Sequence, residues 1–172
     1  MMTIQTERLI LRRFCAEDLQ DLYEYLSDEE TVRYEPYKPM DMGETEKELA
    51  ERIAADEMIA VVRKSDNKLI GNLYLGKREF ETLELGYVFN RRFWHQGYAK
   101  ESCEALIKKV FEDGIHRIYA ECDPCNKSSW RLLEGLGFAR EAHFKQNVYF
   151  WKDEEGNPLW KDTFVYSLLR SR

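Results

Sequence analysis

The run Thr82-Leu-Glu-Leu-Gly-Tyr-Val-Phe-Asn-Arg-Arg-Phe-Trp-His-Gln-Gly-Tyr-Ala99 decides how this chain is read. Its first eight residues alternate. Leu83, Leu85, Tyr87 and Phe89 face one way and Glu84, Gly86 and Val88 the other, the period-two pattern of a strand. A polar stretch containing Gly97 follows. It leads into a helix with Cys103, Leu106, Ile107, Val110 and Phe111 on one face and Gly114 placed to end it. The first turn of a helix carries unpaired N–H groups and the positive end of the dipole, and a glycine lets an anion approach the backbone. Trp94 to Ala99 is therefore a candidate pyrophosphate cradle. By itself the same pattern also describes an ordinary helix start.

Reading outward, Ile4 to Phe14 is expected to be a strand, and Leu19, Leu22, Tyr23 and Leu26 follow the helical i, i+3, i+4, i+7 rule. Pro36, Pro39 and Gly43 mark residues 33–43 as a loop. Thr45-Glu46-Lys47-Glu48 fits a capping box at the start of a second helix, continued by Leu49 and Ile53. Met58 to Arg63 and Leu69 to Gly76 read as strands around a turn at Ser65–Lys68. Beyond the central helix come a strand over His116–Cys122, a short helix over Asn126–Leu136, and strands near Arg140–Trp151 and Asp162–Leu169. The order βαα, βββ, αβαββ predicts an α/β fold, α+β by some schemes, in a single domain spanning 1–172.

Composition bounds the function. Of 172 residues, 44% are hydrophobic and 13% aromatic, enough for a packed core. The net charge of −6 argues against nucleic acid as a partner, because such binders need a basic face. No apolar run approaches the ~20 residues of a membrane span, and the N-terminus lacks a secretory pattern, so a cytoplasmic location is expected. Cys122-Asp-Pro-Cys125 has the spacing of a metal half-site or redox pair. No second CxxC accompanies it, and His95, His116 and His143 are scattered, so no metal is expected and the thiols read as reduced.

The second informative stretch is Asn126-Lys-Ser-Ser129-Trp-Arg-Leu-Leu-Glu134-Gly-Leu-Gly137-Phe138. It resembles the GNAT superfamily signature in which Asn-x-x-Ser opens the last helix and Leu-Gly-Phe follows it. Trp94-His-Gln-Gly97-Tyr-Ala99 resembles the same family's coenzyme A loop. The opening Thr6-Glu-Arg-Leu-Ile-Leu-Arg12, with Asp18 and Leu22 after it, resembles the Rim-type branch, which includes enzymes that acetylate ribosomal-protein N-termini. The three matches occur in family order and span most of the chain.

This resemblance implies a mixed, roughly seven-stranded sheet that splays after its fourth strand, flanked by about four helices, with acetyl-CoA in the cleft. Pantetheine would pair with the backbone of Tyr87, Val88 and Phe89 like an added strand. The pyrophosphate would lie on the amides of His95, Gln96, Gly97, Tyr98 and Ala99, with Asn126 and Ser129 completing the cofactor site. Trp94 and His95 depart from the usual loop residues. Glu134 stands where many relatives carry a tyrosine that protonates the thiolate, and the Rim-type pattern transfers that role to Ser129.

The implied reaction is acetyl transfer to a primary amine, on a protein N-terminus or a small molecule, within a ternary complex. A GNAT module that holds acyl-CoA without turnover is the alternative. Catalysis needs an N–H donor for the oxyanion, assigned to the backbone near Val88, and a base for the ammonium proton. Glu84, on the strand face opposite Leu83 and Leu85, is the candidate base, with a surface ion-pair partner as its other reading. Asn126 could equally be a helix N-cap and Ser129 a first-turn serine. Tyr34, Glu35, Tyr37, Tyr149, Phe150 and Trp151 are candidates for the acceptor pocket. The chain is expected to be a monomer or homodimer.

Overall fold

The computed structural model describes residues 3–171. Its strands are β1 (Ile4–Gln5), β2 (Leu9–Arg12), β3 (Met58–Arg63), β4 (Lys68–Lys77), β5 (Thr82–Phe89), β6 (Arg117–Cys122), β7 (Ala139–Val148) and β8 (Lys161–Leu169). Its helices are α1 (Leu19–Leu26), α2 (Glu29–Val32), α3 (Met42–Ala54), α4 (Tyr98–Glu112) and α5 (Lys127–Gly135). The strands form one mixed sheet in the order β1-β2-β3-β4-β5-β6-β8-β7.

Strand alternation divides the core into two. Leu9, Leu11, Ile59, Val61, Leu73, Leu83, Leu85 and Phe89 pack with Cys103, Leu106 and Ile107 of α4 and Leu133 of α5 on one face. Ala60, Val62, Leu69 and Val88 pack with Leu22 and Leu26 of α1 and Leu49 of α3 on the other. Neighbouring residues of one strand, such as Val61 and Val62, therefore serve opposite layers. Each fully buried leucine contributes about 1.5–3 kcal/mol to holding helix against sheet.

The strand count exceeds the expected seven because the opening segment is two strands. Thr6 N–H bonds the Leu9 carbonyl at 3.0 Å, and β1 folds back antiparallel on β2. The extra helix is α2, capped by Asp28, whose side chain accepts from Thr31 N–H at 3.0 Å. The capping box of α3 lies one turn earlier than expected. Asp41 and Glu44 exchange side-chain bonds with each other's backbone, so the helix begins at Met42 and Thr45 is buried inside it.

The feature that creates the site is a partial pairing. β5 and β6 are parallel partners only from Thr82–Arg117 to Glu84–Tyr119. From Leu85 onward β5 keeps β4 on one side, while β6 continues with β8 as far as Cys122 and Phe164. The sheet opens at this point, and the first turns of α4 and α5 border the gap.

Candidate active site

Two cavities meet in the splay. The first, about 570 Å³, lies between the end of β5, the loop Trp94–Gly97 and the starts of α4 and α5. The second, about 510 Å³, lies between β5, β6 and β8, under the α2–α3 loop. Tyr34, Glu35, Tyr87, Asn126 and Ser129 line both.

The first cavity has the features of a phosphate cradle. Gly97 caps α4 in the left-handed region at φ +83°, and the first intrahelical bond, Glu101 N–H to Gly97 carbonyl, leaves the amides before it free. His95 also has positive φ, at 59°, and sits exposed on the cavity rim. Trp94 holds the loop to the strand, because its indole N–H donates to the Phe89 carbonyl at 2.7 Å. Gln96 anchors the loop through groups other than its backbone amide. It does not line the cavity, its Nε2 donates to the Arg92 carbonyl at 2.9 Å, and its carbonyl accepts from Arg8 at 3.0 Å. The remaining loop residues Gly97, Tyr98 and Ala99 stand on the wall, joined by Lys100, Lys127 and Arg131. Free amides beside three cations suit the phosphates of acetyl-CoA.

The β5 register decides which backbone groups near Val88 face the gap. Asn90 N–H bonds the Ile70 carbonyl, which turns the polar groups of Asn90, and by alternation those of Val88 and Gly86, toward β4. Phe89 and Tyr87 turn theirs toward the gap, as the Trp94 bond to the Phe89 carbonyl confirms for the former. The backbone groups of β5 that face the gap are therefore those of Tyr87 and Phe89, while those of Val88 face β4. The Val88 side chain belongs to the opposite core layer.

Tyr87 and Ser129 mark the junction. The Tyr87 hydroxyl lies 3.0 Å from Ser129 Oγ and donates to the Ser129 carbonyl at 3.1 Å. Burial raises the Tyr87 phenol far above its ordinary range, so it stays a donor. Asn126 performs the N-cap role: its Oδ1 accepts from Ser129 N–H at 3.2 Å. Glu134, at the position of the missing tyrosine, accepts from the buried Tyr166 hydroxyl at 3.0 Å. Cys122 is buried, which pushes its thiol up to about 11, and Cys125 is exposed. Both thiols are free.

Among the described residues, the second cavity carries five carboxylates, Glu35, Glu84, Glu121, Asp123 and Asp162, against one cation, Lys161. Glu84 is ion-paired with Arg78, whose guanidinium also reaches the Tyr119 hydroxyl. Lys161 bonds Asp123 at 2.7 Å. Glu35 is partly buried in the α2–α3 loop. Burial pushes its carboxyl up to about 7, against the pull of Arg52 and Lys161. Of the expected acceptor aromatics, Tyr34 and Phe150 line the cavity. Tyr37 packs into the second core layer. Tyr149 stacks edge-on against Trp160, and Trp151 lies beneath Lys38, both beyond the end of β7 at Val148. Sequence reasoning missed the cavity-lining Lys100, Lys127 and Arg131, since isolated surface cations carry no periodic signal.

Comparison with known proteins agrees with this geometry. Residues 8–139 match the acetyltransferase (GNAT) domain model. An uncharacterised N-acetyltransferase, YnaD, of Bacillus subtilis (strain 168) is 34% identical over 172 residues, covering 98% of this chain and 97% of its own. A GNAT-family acetyltransferase structure from Bacillus anthracis superposes with a TM-score of 0.89 at 32% identity, covering 99% of this chain and 100% of that one. A ribosomal L7/L12 alpha-N-protein acetyltransferase, solved in complex with coenzyme A, shares the fold at 20% identity, with a TM-score of 0.81 and 98% of each chain covered. A sheet splayed beside a free helix start, together with a domain match over most of the sequence, identifies this chain as a member of the GNAT acetyltransferase family.

Proposed function

We propose that this chain transfers the acetyl group of acetyl-CoA to a primary amine by direct attack, with the cofactor in the first cavity and the acceptor in the second. The observation that carries the reading is the junction itself: Tyr87 and Ser129 line both cavities where a reacting carbonyl must sit. Acetyl-CoA supplies an activated thioester. Gly97 to Ala99 present amides to its pyrophosphate, and Lys100, Lys127 and Arg131 add positive charge. Tyr87 and Phe89 offer backbone groups to the pantetheine and to the developing oxyanion. Ser129 Oγ donates toward the departing sulfur when the Tyr87 hydroxyl turns to donate to Ser129. Glu84, held by Arg78, keeps negative charge on the acceptor side. The acidic lining favours a cationic acceptor, and the Rim-type resemblance adds a protein N-terminal amine to the acceptor panel.

A cytoplasmic location is part of the same proposal. Among the described residues, no helix is long and apolar enough to cross a membrane.

The test is twofold. Saturating acetyl-CoA stabilises the protein in a thermal melt, since a ligand bound only by the folded state adds RT ln(1 + [L]/Kd). Thiol release is then followed across amines of peptide N-terminal, amino-acid and polyamine type. An unchanged melt with no binding by titration overturns the assignment. Binding without thiol release on any amine supports the non-catalytic module instead.

A further inference from the structure

We propose that Glu35 is the proton acceptor for the incoming amine, a role the sequence suggested for Glu84. The inference rests on the acetyl-transfer reading above and assigns a catalytic residue within it.

Glu35 is well positioned. It lies in the α2–α3 loop on the wall shared by both cavities, together with Tyr87 and Ser129. Of the described carboxylates that line these cavities, Glu35 alone lines both. Glu84 lines only the second cavity.

Glu35 is also available. Among the described residues, its carboxylate has neither a hydrogen bond nor an ion pair. Only its backbone N–H is engaged, with the Val32 carbonyl at 2.9 Å. The Glu84 carboxylate is engaged by Arg78. A base must present a free lone pair to the proton it removes. Glu35 meets that condition without breaking an existing contact.

The electrostatics agree. Arg52 from α3 and Lys161 from β8 oppose the burial of Glu35, Tyr37 of its own loop and Tyr87 of β5 feel its charge, and Glu30, Tyr34 and Lys127 share the first cavity with it. Across the second cavity stand Glu84, Glu121, Asp123 and Asp162. Burial outweighs the two cations, which leaves the carboxyl poised between its protonated and ionised forms near neutral pH.

The protons balance. An alkylammonium and the thioester give an amide, a thiol and one proton. Glu35 takes the first proton from the nitrogen and, being partly exposed, returns it to solvent. The C–N bond then forms and the C–S bond breaks. The second nitrogen proton ends on the sulfur, by way of the Ser129–Tyr87 hydroxyls.

The experiment compares wild type, Glu35→Gln and Glu35→Asp with trialanine and Nα-acetyl-lysine amide as acceptors. These amines ionise near ~8 and ~10.4. Wild-type kcat/KM shows an acid limb near pH 7 at the same place with both, besides the limb of each amine. Glu35→Gln loses the common limb and about 10²–10⁴-fold in rate at pH 7, less at pH 9, and Glu35→Asp restores part of it. Acetyl-CoA affinity in Glu35→Gln stays close to wild type. A Glu35→Gln enzyme with the wild-type profile on either amine overturns the proposal.

If neither amine reacts, carboxyl carbon NMR decides. A glutamate signal with a midpoint near 7 is expected in wild type and absent in Glu35→Gln. Glutamates that all titrate below about 5 overturn the assignment. Failure of the underlying reading looks different: wild type itself neither binds acetyl-CoA nor releases thiol.

Discussion

Arg8 and Glu101 lie 93 residues apart in sequence and form an ion pair at 2.7 Å. The same carboxylate accepts from the Arg8 N–H at 2.9 Å and from Thr6 Oγ1 at 2.5 Å. The turn between β1 and β2 is thereby fastened to the first turn of α4. Arg8 then reaches further. Its Nη1 donates to the Gln96 carbonyl at 3.0 Å, and its guanidinium lies 4.4 Å from the centre of the Tyr98 ring. The opening Thr6-Glu-Arg-Leu run thus braces the Trp94–Gly97 loop from behind.

Arg8→Ala is expected to weaken acetyl-CoA binding by about tenfold, the scale of one charge-assisted hydrogen bond partly screened by solvent. Isothermal titration measures it. A melting temperature near wild type would confirm that the loop, and not the fold, has been loosened. Unchanged affinity would show that the loop holds its shape without the brace.

Gly97→Ala tests the cradle itself. The φ of +83° strains any L side chain, at a cost of about 1–2 kcal/mol, and the new Cβ would stand 3.3 Å from Arg8 Nη2. The variant is expected to fold with a modestly lower melting temperature and to lose more coenzyme A affinity than that strain alone explains. A loss of stability without a loss of affinity would remove the loop from the phosphate site.

Ser129→Ala is expected to lower kcat by about tenfold to a thousandfold with little change in the acetyl-CoA Kd. A donor that matters as charge develops on sulfur acts on the transition state and not on ground-state binding. Asn126 still caps α5 through the Ser129 backbone N–H in this variant, so the fold is kept. Wild-type turnover, with the chemical step shown to be rate-limiting, would defeat the assignment.

Glu35 also predicts a pH dependence of stability in the ligand-free protein. Its folded value, pushed from 4.5 to about 7, makes the native state bind the proton more tightly than the unfolded chain. Its contribution is fully present below about pH 4.5 and is lost as pH rises through 7. Glu35→Gln, which mimics the neutral form, should therefore be more stable than wild type at pH 8, by up to ~3 kcal/mol. The two should converge near pH 4. Urea melts at both pH values measure the difference. Equal stabilities at pH 8 would mean that the carboxylate is better solvated than its burial implies.

Lys161→Met removes a cation that favours the ionised form of Glu35. The acid limb of activity is expected to move to higher pH. A limb moving to lower pH would contradict the placement of Lys161 beside Glu35.

Local pattern made much of this molecule legible. The alternation of Thr82–Phe89 gave both the strand and its two faces, because a half-buried strand must place apolar side chains at every second residue. Gly97 and the apolar stripe of α4 gave the loop and the helix behind it for the same kind of reason: backbone conformation and burial are imposed within a few residues. Asn126 and Ser129 were found as a helix start, with the family resemblance supplying their chemistry. Other features depended on partners far away in sequence. The opening of the sheet past Glu84 arises because β6 keeps β8 while β5 keeps β4, a competition no single strand records. Glu84 reads in sequence as either a base or an ion-pair partner, and the fold sets Arg78 beside it. Glu35 reads in sequence as one of several acceptor-pocket candidates in a proline-marked loop. Only the tertiary structure sets it between two cavities, takes it partly out of water, and leaves its oxygens without a partner among the described residues, because desolvation depends on what packs around a side chain and not on its neighbours in the chain.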